Sequence, residues 1–309
     1  MSVRGRDFLT MQEYSIDELQ LLLRTAKELK HDFLSGVMKA ILQSKVLAMI
    51  FQKPSTRTRV SFEVAMRHLG GHALYLSWNE LQLGRGETIA DTVRVLSRYS
   101  HGIMARVFAH SDLEEMAKYA PVPVINGLSD RHHPCQGLAD LLTIQEKKED
   151  FKGLKLAWVG DGNNVCNTLL IGCSKFGMNM SVACPKGYEP DETVVKWAEQ
   201  EAERSGSEIG ITLDPTKAVE AADIIYTDTF VSLGMEAERA KRLKIFLPKY
   251  QVTPKLLKCA KEDVVFMHCL PAHRGEEVLD EVIDGPYSIV WDQAENRLWA
   301  TMSLLSLLL

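Results

Sequence analysis

Five consecutive residues, Ser55, Thr56, Arg57, Thr58 and Arg59, put three hydroxyls and two guanidinium groups between two apolar segments. If a helix starts there, its free N–H groups and dipole join the hydroxyls and arginines in favouring a phosphate-like anion. A helix cap with solvated arginines fits the same pattern, whereas GxxxxGK[ST], the Walker loop, is absent. Arg106 interrupts the apolar run GIMARVF, where a charge needs either a bound anion or a salt-bridge partner. HHPCQG supplies His133, Pro134, Cys135 and Gln136 in a loop, as solvated groups or as ligands. Asn163 and Asn164 of GDGNN either cap a helix or hold a polar ligand end, and Asp228 and Ser232 of DTFVSLG either bind an amine or cap a helix. HCLPAHRGEEV carries His268, Cys269, Leu270, Pro271, His273 and Arg274. Adjacent His268 and Cys269 are awkward for a tetrahedral ion, and no CxxC or HxxxH pair accompanies them, so no metal is expected. Arg297, in ENR, reads most simply as a solvated arginine one turn into a helix.

These stretches sit at recurring junctions. Short apolar runs (KVLAMIF, GIMARVF, PVPVI, LKLAWV, MSVAC, DIIYT, VVFMH, SIVWD) alternate with segments of helical period. The alternation predicts an α/β chain with parallel sheets covered by helices. Ser15 and Glu18 form a capping box ahead of Ile16, Leu19, Leu22, Leu23 and Ala26, while Phe62, Ala65, Met66 and Leu69 define a helix that Gly70 and Gly71 can end. The charged stretch QEKKEDFKG marks a domain change, and a final helix begins at about residue 293 to 295. Ligands of such folds collect at the carboxyl ends of strands, where each polar motif falls. GDGNN imitates a dinucleotide turn. It lacks the third glycine, and the next strand ends in Cys184 and Pro185 rather than in an acid, so NAD is not expected.

Size and composition narrow the classes further. A chain of 309 residues exceeds a single core of about 100–200, so two domains are expected. With 36 basic and 41 acidic residues the net charge is −5, which gives no overall basic field for nucleic acid. Six cysteines without CxxC spacing suit reduced thiols and a cytoplasmic location. The polar N-terminus is unlike a signal peptide, and the apolar MSLLSLLL is shorter than the roughly 20 residues of a membrane span, so it reads as a packed helix.

In content and order, STRTRVSFEVA, HPCQ, GDGNN, DTFVSLG, HCLPAHRGEEV and ENR closely resemble the ornithine carbamoyltransferase family, from about residue 6 to the end. The first motif is shared with the aspartate branch; HCLPAHRG and DTFVSLG resemble the ornithine branch. Leu233 departs from the family's usual methionine, and NNVCNT from its usual continuation. The resemblance implies two domains, each a parallel sheet flanked by helices, linked by interdomain helices. Residues 1–148, with the helix at about 293–309 packing back onto them, would bind carbamoyl phosphate, and residues 149–292 would bind ornithine. It implies transfer of the carbamoyl group of carbamoyl phosphate to the δ-amine of L-ornithine, giving citrulline and phosphate, a step of arginine metabolism. Putrescine or N-acetylornithine as acceptor is the alternative. Ser55, Thr56, Arg57 and Thr58 would hold the phosphate, with Gln82 of LQLGRGET reaching in from a neighbouring subunit of a homotrimer or larger assembly. Arg106 and His133 would face the carbonyl oxygen. Gln136 and the backbone of Cys269 and Leu270 would hold the carbamoyl NH2, with Pro134, Cys135 and Arg297 completing that pocket. Asn164, Asp228, Ser232 and Leu233 would bind ornithine, and Asp228 with Cys269 would orient its amines. No cofactor, metal, nucleic acid or membrane is implied. A dehydrogenase using Gly160 to Asn164, or a noncatalytic anion sensor, are the rival classes.

Overall fold

The computed structural model describes residues 3–232 and 234–309, which fall into two compact units. Leu233 lies outside the described residues. In chain order the first unit contains α1 (Ile16–Leu34), β1 (Val46–Phe51), α2 (Thr56–His68), β2 (His72–Ser77), α3 (Ile89–Tyr99), β3 (Gly102–Arg106), α4 (His110–Tyr119) and β4 (Val124–Leu128). The chain leaves this unit within α5 (Pro134–Lys148) and returns to it within α12 (Val290–Leu308). Between these come β5 (Lys155–Val159), α6 (Asn164–Phe176), β6 (Asn179–Ala183), α7 (Glu192–Ser205), β7 (Ile209–Thr212), α8 (Pro215–Val219), β8 (Ile224–Thr227), α9 (Arg239–Phe246), α10 (Pro254–Leu257), β9 (Val265–His268) and α11 (Asp280–Ile283). The first unit comprises the described residues up to Leu142 together with Glu295–Leu309, and the second comprises Thr143–Ala294.

Both sheets are wholly parallel, ordered β2-β1-β3-β4 in the first unit and β7-β6-β5-β8-β9 in the second. The expected α/β architecture is therefore present in each unit. β1, β3 and β5 are nearly continuous apolar runs because helices cover both faces of their sheets. In the first unit Ala48, Ile50, Val93, Ile103, Leu113, Met116 and Val124 form one core layer. In the second, Ala157, Val159, Ile225, Phe230, Phe246, Phe266 and Val290 do so.

The capping box expected at Ser15 and Glu18 is complete, each side chain bonding the other residue's backbone. Gly70 ends the turn after α2 in the left-handed region, φ 82°. The apolar C-terminus is the packed helix expected of it: Leu304, Leu305 and Leu308 are buried, and Ser303 donates to the Leu22 carbonyl of α1 at 2.6 Å. No helix among the described residues is long and apolar enough to cross a membrane. SIVWD differs from its expected strand. Phe266 makes a single bridge to Ser288, after which the chain turns into α12 at Val290, which packs into the core of the second unit while Trp291 is exposed.

Strand order decides where a ligand can sit. In the first sheet the chain runs outward from β1 to β2 and then returns to the opposite side of β1 as β3. In the second it runs from β5 through β6 to β7 and then reverses to β8. A crevice opens at the carboxyl ends of the strands flanking such a reversal. Phe51 and Arg106 end β1 and β3; Val159 and Thr227 end β5 and β8.

Candidate functional site

At the first reversal α2 begins with Ser55 as its N-cap, whose oxygen accepts from the Thr58 N–H at 3.3 Å while its hydroxyl lies 3.1 Å from Thr58 Oγ1. Thr58 is buried, Ser55 and Arg57 are half-buried, and Thr56 is exposed. The cap and the cluster of anion-binding groups thus coexist. Arg59 belongs elsewhere: it pairs with Glu63 at 2.9 Å and lies over the Tyr75 ring.

Arg106 ends β3 at an irregularity of register, beside Phe51. His133 immediately precedes α5, its carbonyl accepting from Gln136 and Gly137, and Pro134 takes the first helical position, where its missing N–H is no loss. Burial, reinforced by the nearby guanidinium groups of Arg297, Arg106 and Arg57, holds the His133 imidazole well below the ordinary histidine range. It is therefore neutral at physiological pH, and three cationic side chains surround it. Arg297 is buried rather than solvated, at 4% exposure. Its guanidinium donates to Gln136 Oε1 at 2.6 Å and to Thr58 Oγ1 at 3.4 Å, and Gln136 donates in turn to Asp140 at 2.7 Å. The chain from Asp140 through Gln136 and Arg297 to Thr58 fixes the orientation of the pocket's side chains.

Cys135 donates to the Asn126 carbonyl, and burial pushes its thiol up to about 12, so it is a packed thiol and not a nucleophile. Gln82 is exposed at the start of the turn Gln82–Arg85, which it closes by accepting from Gly86 and Glu87.

At the second reversal Gly160 takes φ 141°, and a Cβ on Gly162 would fall 2.2 Å from the Pro190 nitrogen. Close packing of this turn against the 189–190 backbone accounts for the dinucleotide-like glycine spacing. Asn163 is the N-cap of α6, its Oδ1 accepting from Val165 and Cys166, while its Nδ2 donates to Asp228 Oδ2 at 2.7 Å. The other Asp228 oxygen accepts from the Thr229 N–H at 2.8 Å and from Cys269 Sγ at 3.1 Å. Asn164, the first residue of α6, and Ser232 are half-buried.

His268 shapes the neighbouring loop. Leu270, with φ 59° in a region that costs a non-glycine residue about 1–3 kcal/mol, donates its N–H to His268 Nδ1 at 2.8 Å. That leaves the ring hydrogen on Nε2, which faces the fully buried Glu277 carboxylate at 3.3 Å. Gln293 accepts the His268 N–H at 3.0 Å and donates to the Tyr226 hydroxyl at 2.9 Å. Asp228, His268 and Cys269 lie close enough to resemble a metal-ligand set, as do His273, Glu276 and Glu277. Both ring nitrogens of His268 and both oxygens of Asp228 are already bonded within the protein, so the first donor set does not fit an ion.

Arg242 of α9 ties this region together, bonding Asp161 Oδ2 and the Phe230 carbonyl while lying 4.8 Å from the Tyr188 ring. Burial pushes the Asp161 carboxyl up to about 6 against the opposing pull of that guanidinium.

The family model for the carbamoyl-phosphate-binding domain of aspartate/ornithine carbamoyltransferases matches residues 6–146, and that for the aspartate/ornithine-binding domain matches residues 152–308. The chain belongs to the aspartate/ornithine carbamoyltransferase family. Among family members, the ornithine carbamoyltransferase of Pyrococcus horikoshii is 61% identical over 309 residues, covering 100% of this chain and 97% of that protein. The Pyrococcus furiosus protein, named as anabolic, is 60% identical with 100% and 98% covered. The solved structure of ornithine carbamoyltransferase from Pyrococcus furiosus superposes with a TM-score of 0.97 over 100% of this chain and 98% of that one; that from Thermus thermophilus, 45% identical, gives 0.87 with 97% of each covered.

The first unit brings Ser55, Thr58, Gln136 and Arg297 into one bonded network and places Arg57, Arg106 and His133 within electrostatic reach of one another. The second brings Asp228 and Cys269 together. Sequence reasoning passed over Asp140, Asn163 as a partner of Asp228, Arg242, Glu277 and Gln293. Asp140 carried a readable signal, since Gln136 and Asp140 form a polar i, i+4 pair in the otherwise apolar residues 134–142. Asn163, Arg242 and Gln293 reach partners 65, 81 and 67 positions away, too distant for any local pattern to show, whereas Glu277 bonds His268 and His273 within its own motif.

Proposed function

We propose that this protein transfers the carbamoyl group of carbamoyl phosphate to the δ-amine of L-ornithine, forming citrulline and phosphate in arginine biosynthesis. The observation that carries this reading is a neutral, buried His133 surrounded by Arg57, Arg106 and Arg297 beside the hydroxyl-rich start of α2. Full-length likeness to proteins named ornithine carbamoyltransferase supports the choice of acceptor.

On this reading residues 1–148 with the C-terminal helix from about 293 hold carbamoyl phosphate, and residues 149–292 hold ornithine. Ser55, Thr56, Arg57 and Thr58 bind the phosphate through the N-terminus of α2, with Gln82 contributed by a neighbouring subunit of a trimer. Attack of the amine nitrogen forms the new N–C bond and converts the carbonyl into a tetrahedral oxyanion. Arg106, His133 and Thr58 stabilise that oxygen, each such donor being worth about 10²–10³ in rate. Breaking the C–O bond then releases phosphate, already a good leaving group, which carries away the proton that the attacking nitrogen sheds. Gln136, assisted by Pro134, Cys135 and Arg297, and the backbone of Cys269 and Leu270 hold the carbamoyl NH2. An alkylamine of pKa near 10 is less than about 1% uncharged at pH 7, so the site must select that form. Asp228 and Cys269 orient the amines, and Asn164, Ser232 and Leu233 engage the amino-acid end. The reaction requires no redox cofactor, and the protein is read as cytoplasmic.

The test is a turnover assay with carbamoyl phosphate and L-ornithine. Citrulline and phosphate in equal amounts, with no phosphate release unless ornithine is present, are expected. Phosphate release at the same rate without an amine would contradict the reading.

A further inference from the structure

Asn163 performs two tasks with one amide. Its Oδ1 is committed to the N-terminus of α6, accepting from Val165 at 2.9 Å and Cys166 at 3.2 Å. Those bonds need the oxygen, so the amide cannot flip, and the amide nitrogen is left pointing at Asp228 Oδ2, 2.7 Å away. Asp228 is buried, and its other oxygen takes Thr229 N and Cys269 Sγ. The carboxylate is therefore held in one rotation by three donors from three segments: the turn after β5, its own loop, and the loop after β9.

We infer that Asn163 is a positioning residue for the transfer reaction: anchored by the helix it caps, it aims the Asp228 carboxylate at the acceptor's amine. This rests on the reading of Asp228 as an amine-orienting group. A cap alone would be served equally well by serine or aspartate. Only an amide also offers an N–H to the carboxylate while keeping an oxygen for the helix.

Asn163→Ser separates the tasks, because serine keeps a capping oxygen but is too short and has no N–H to reach Asp228. The melting temperature should fall by no more than about 6 °C, the cost of the one bond lost to Asp228, since capping strength is nearly equal. Equilibrium binding of carbamoyl phosphate should be unchanged, while kcat/KM for the amine falls about tenfold to a hundredfold, the usual effect of losing a hydrogen bond to a charged group.

The deciding measurement is a double-mutant cycle with Asp228→Asn, run with whichever of ornithine, putrescine or N-acetylornithine the unmodified protein carbamoylates fastest. If Asn163 acts through Asp228, the double variant is no slower than Asp228→Asn alone. Losses that multiply, or Asn163→Ser kinetics equal to those of the unmodified protein, overturn the inference while leaving the transferase reading intact. An unmodified protein that carbamoylates none of the amines overturns both.

Discussion

At the residue scale the proposed phosphate side of the site gathers Arg57, Arg106 and Arg297 around a histidine held neutral by burial. Arg57 should contribute a charge-assisted contact, so Arg57→Ala is expected to weaken carbamoyl phosphate binding about tenfold to a hundredfold by titration calorimetry. Unchanged affinity in a folded variant would count against the cradle at the start of α2. His133 leaves a second mark, on stability. Its pKa is lowered in the folded protein, so below about pH 6.5 the unfolded chain takes up a proton that the folded chain refuses. Stability contributed at neutral pH is therefore lost as pH falls through that point, at up to about 1.4 kcal/mol per pH unit, until the folded-state pKa is reached. Urea titrations at pH 7.5 and 5.5 should show the unmodified protein losing about 1 kcal/mol more than His133→Gln over that interval. Equal losses would mean that the imidazole titrates normally.

At the scale of elements, α9 fastens the Phe230 segment to the turn after β5 through Arg242 and Asp161, both buried. Removing one partner strands the other, so Arg242→Leu should destabilise the protein by about 3–5 kcal/mol in urea denaturation, and adding Asp161→Asn should restore part of that loss. A double variant as unstable as the sum of the singles would show that the pair is not coupled. This clamp was illegible in the sequence, because its members are 81 residues apart and RAKRLKIF looks like an ordinary surface helix. Legibility elsewhere followed burial. β1, β3, β5 and β9 announced themselves because strands covered on both faces need unbroken apolar runs. β2 and β7 have no fully buried residue, so HALYLS and IGIT lack that signal. SIVWD carried the signal and still became a helix, because a single bridge to Phe266 is all the sheet takes from it. The site divides the same way. The start of α2 was readable as one local cluster of hydroxyls and arginines. The bond from Asn163 to Asp228 spans 65 positions, and only the fold brings its ends together.

At the scale of the whole molecule, the proposed function, with Gln82 contributed by a neighbouring subunit, makes activity a property of the assembly. Arg57→Ala and Gln82→Ala proteins should each be weak alone. After unfolding and joint refolding in equal amounts, about one quarter of the sites would pair an intact Arg57 with an intact neighbouring Gln82, so about that share of activity should return. No recovery would place Gln82 outside the shared site. The identity of the acceptor is decided by the ratio of kcat/KM for L-ornithine to that for putrescine. Asn164 and Asp228 are read as engaging the α-carboxylate and α-ammonium, neither of which putrescine has. Leaving both polar groups unmatched costs about 1–3 kcal/mol each; with a combined loss of about 3 kcal/mol or more, ornithine should exceed putrescine by at least about a hundredfold, and Asp228→Asn should narrow the gap mainly by slowing ornithine. Comparable efficiencies for the two amines with the unmodified protein would contradict the ornithine assignment.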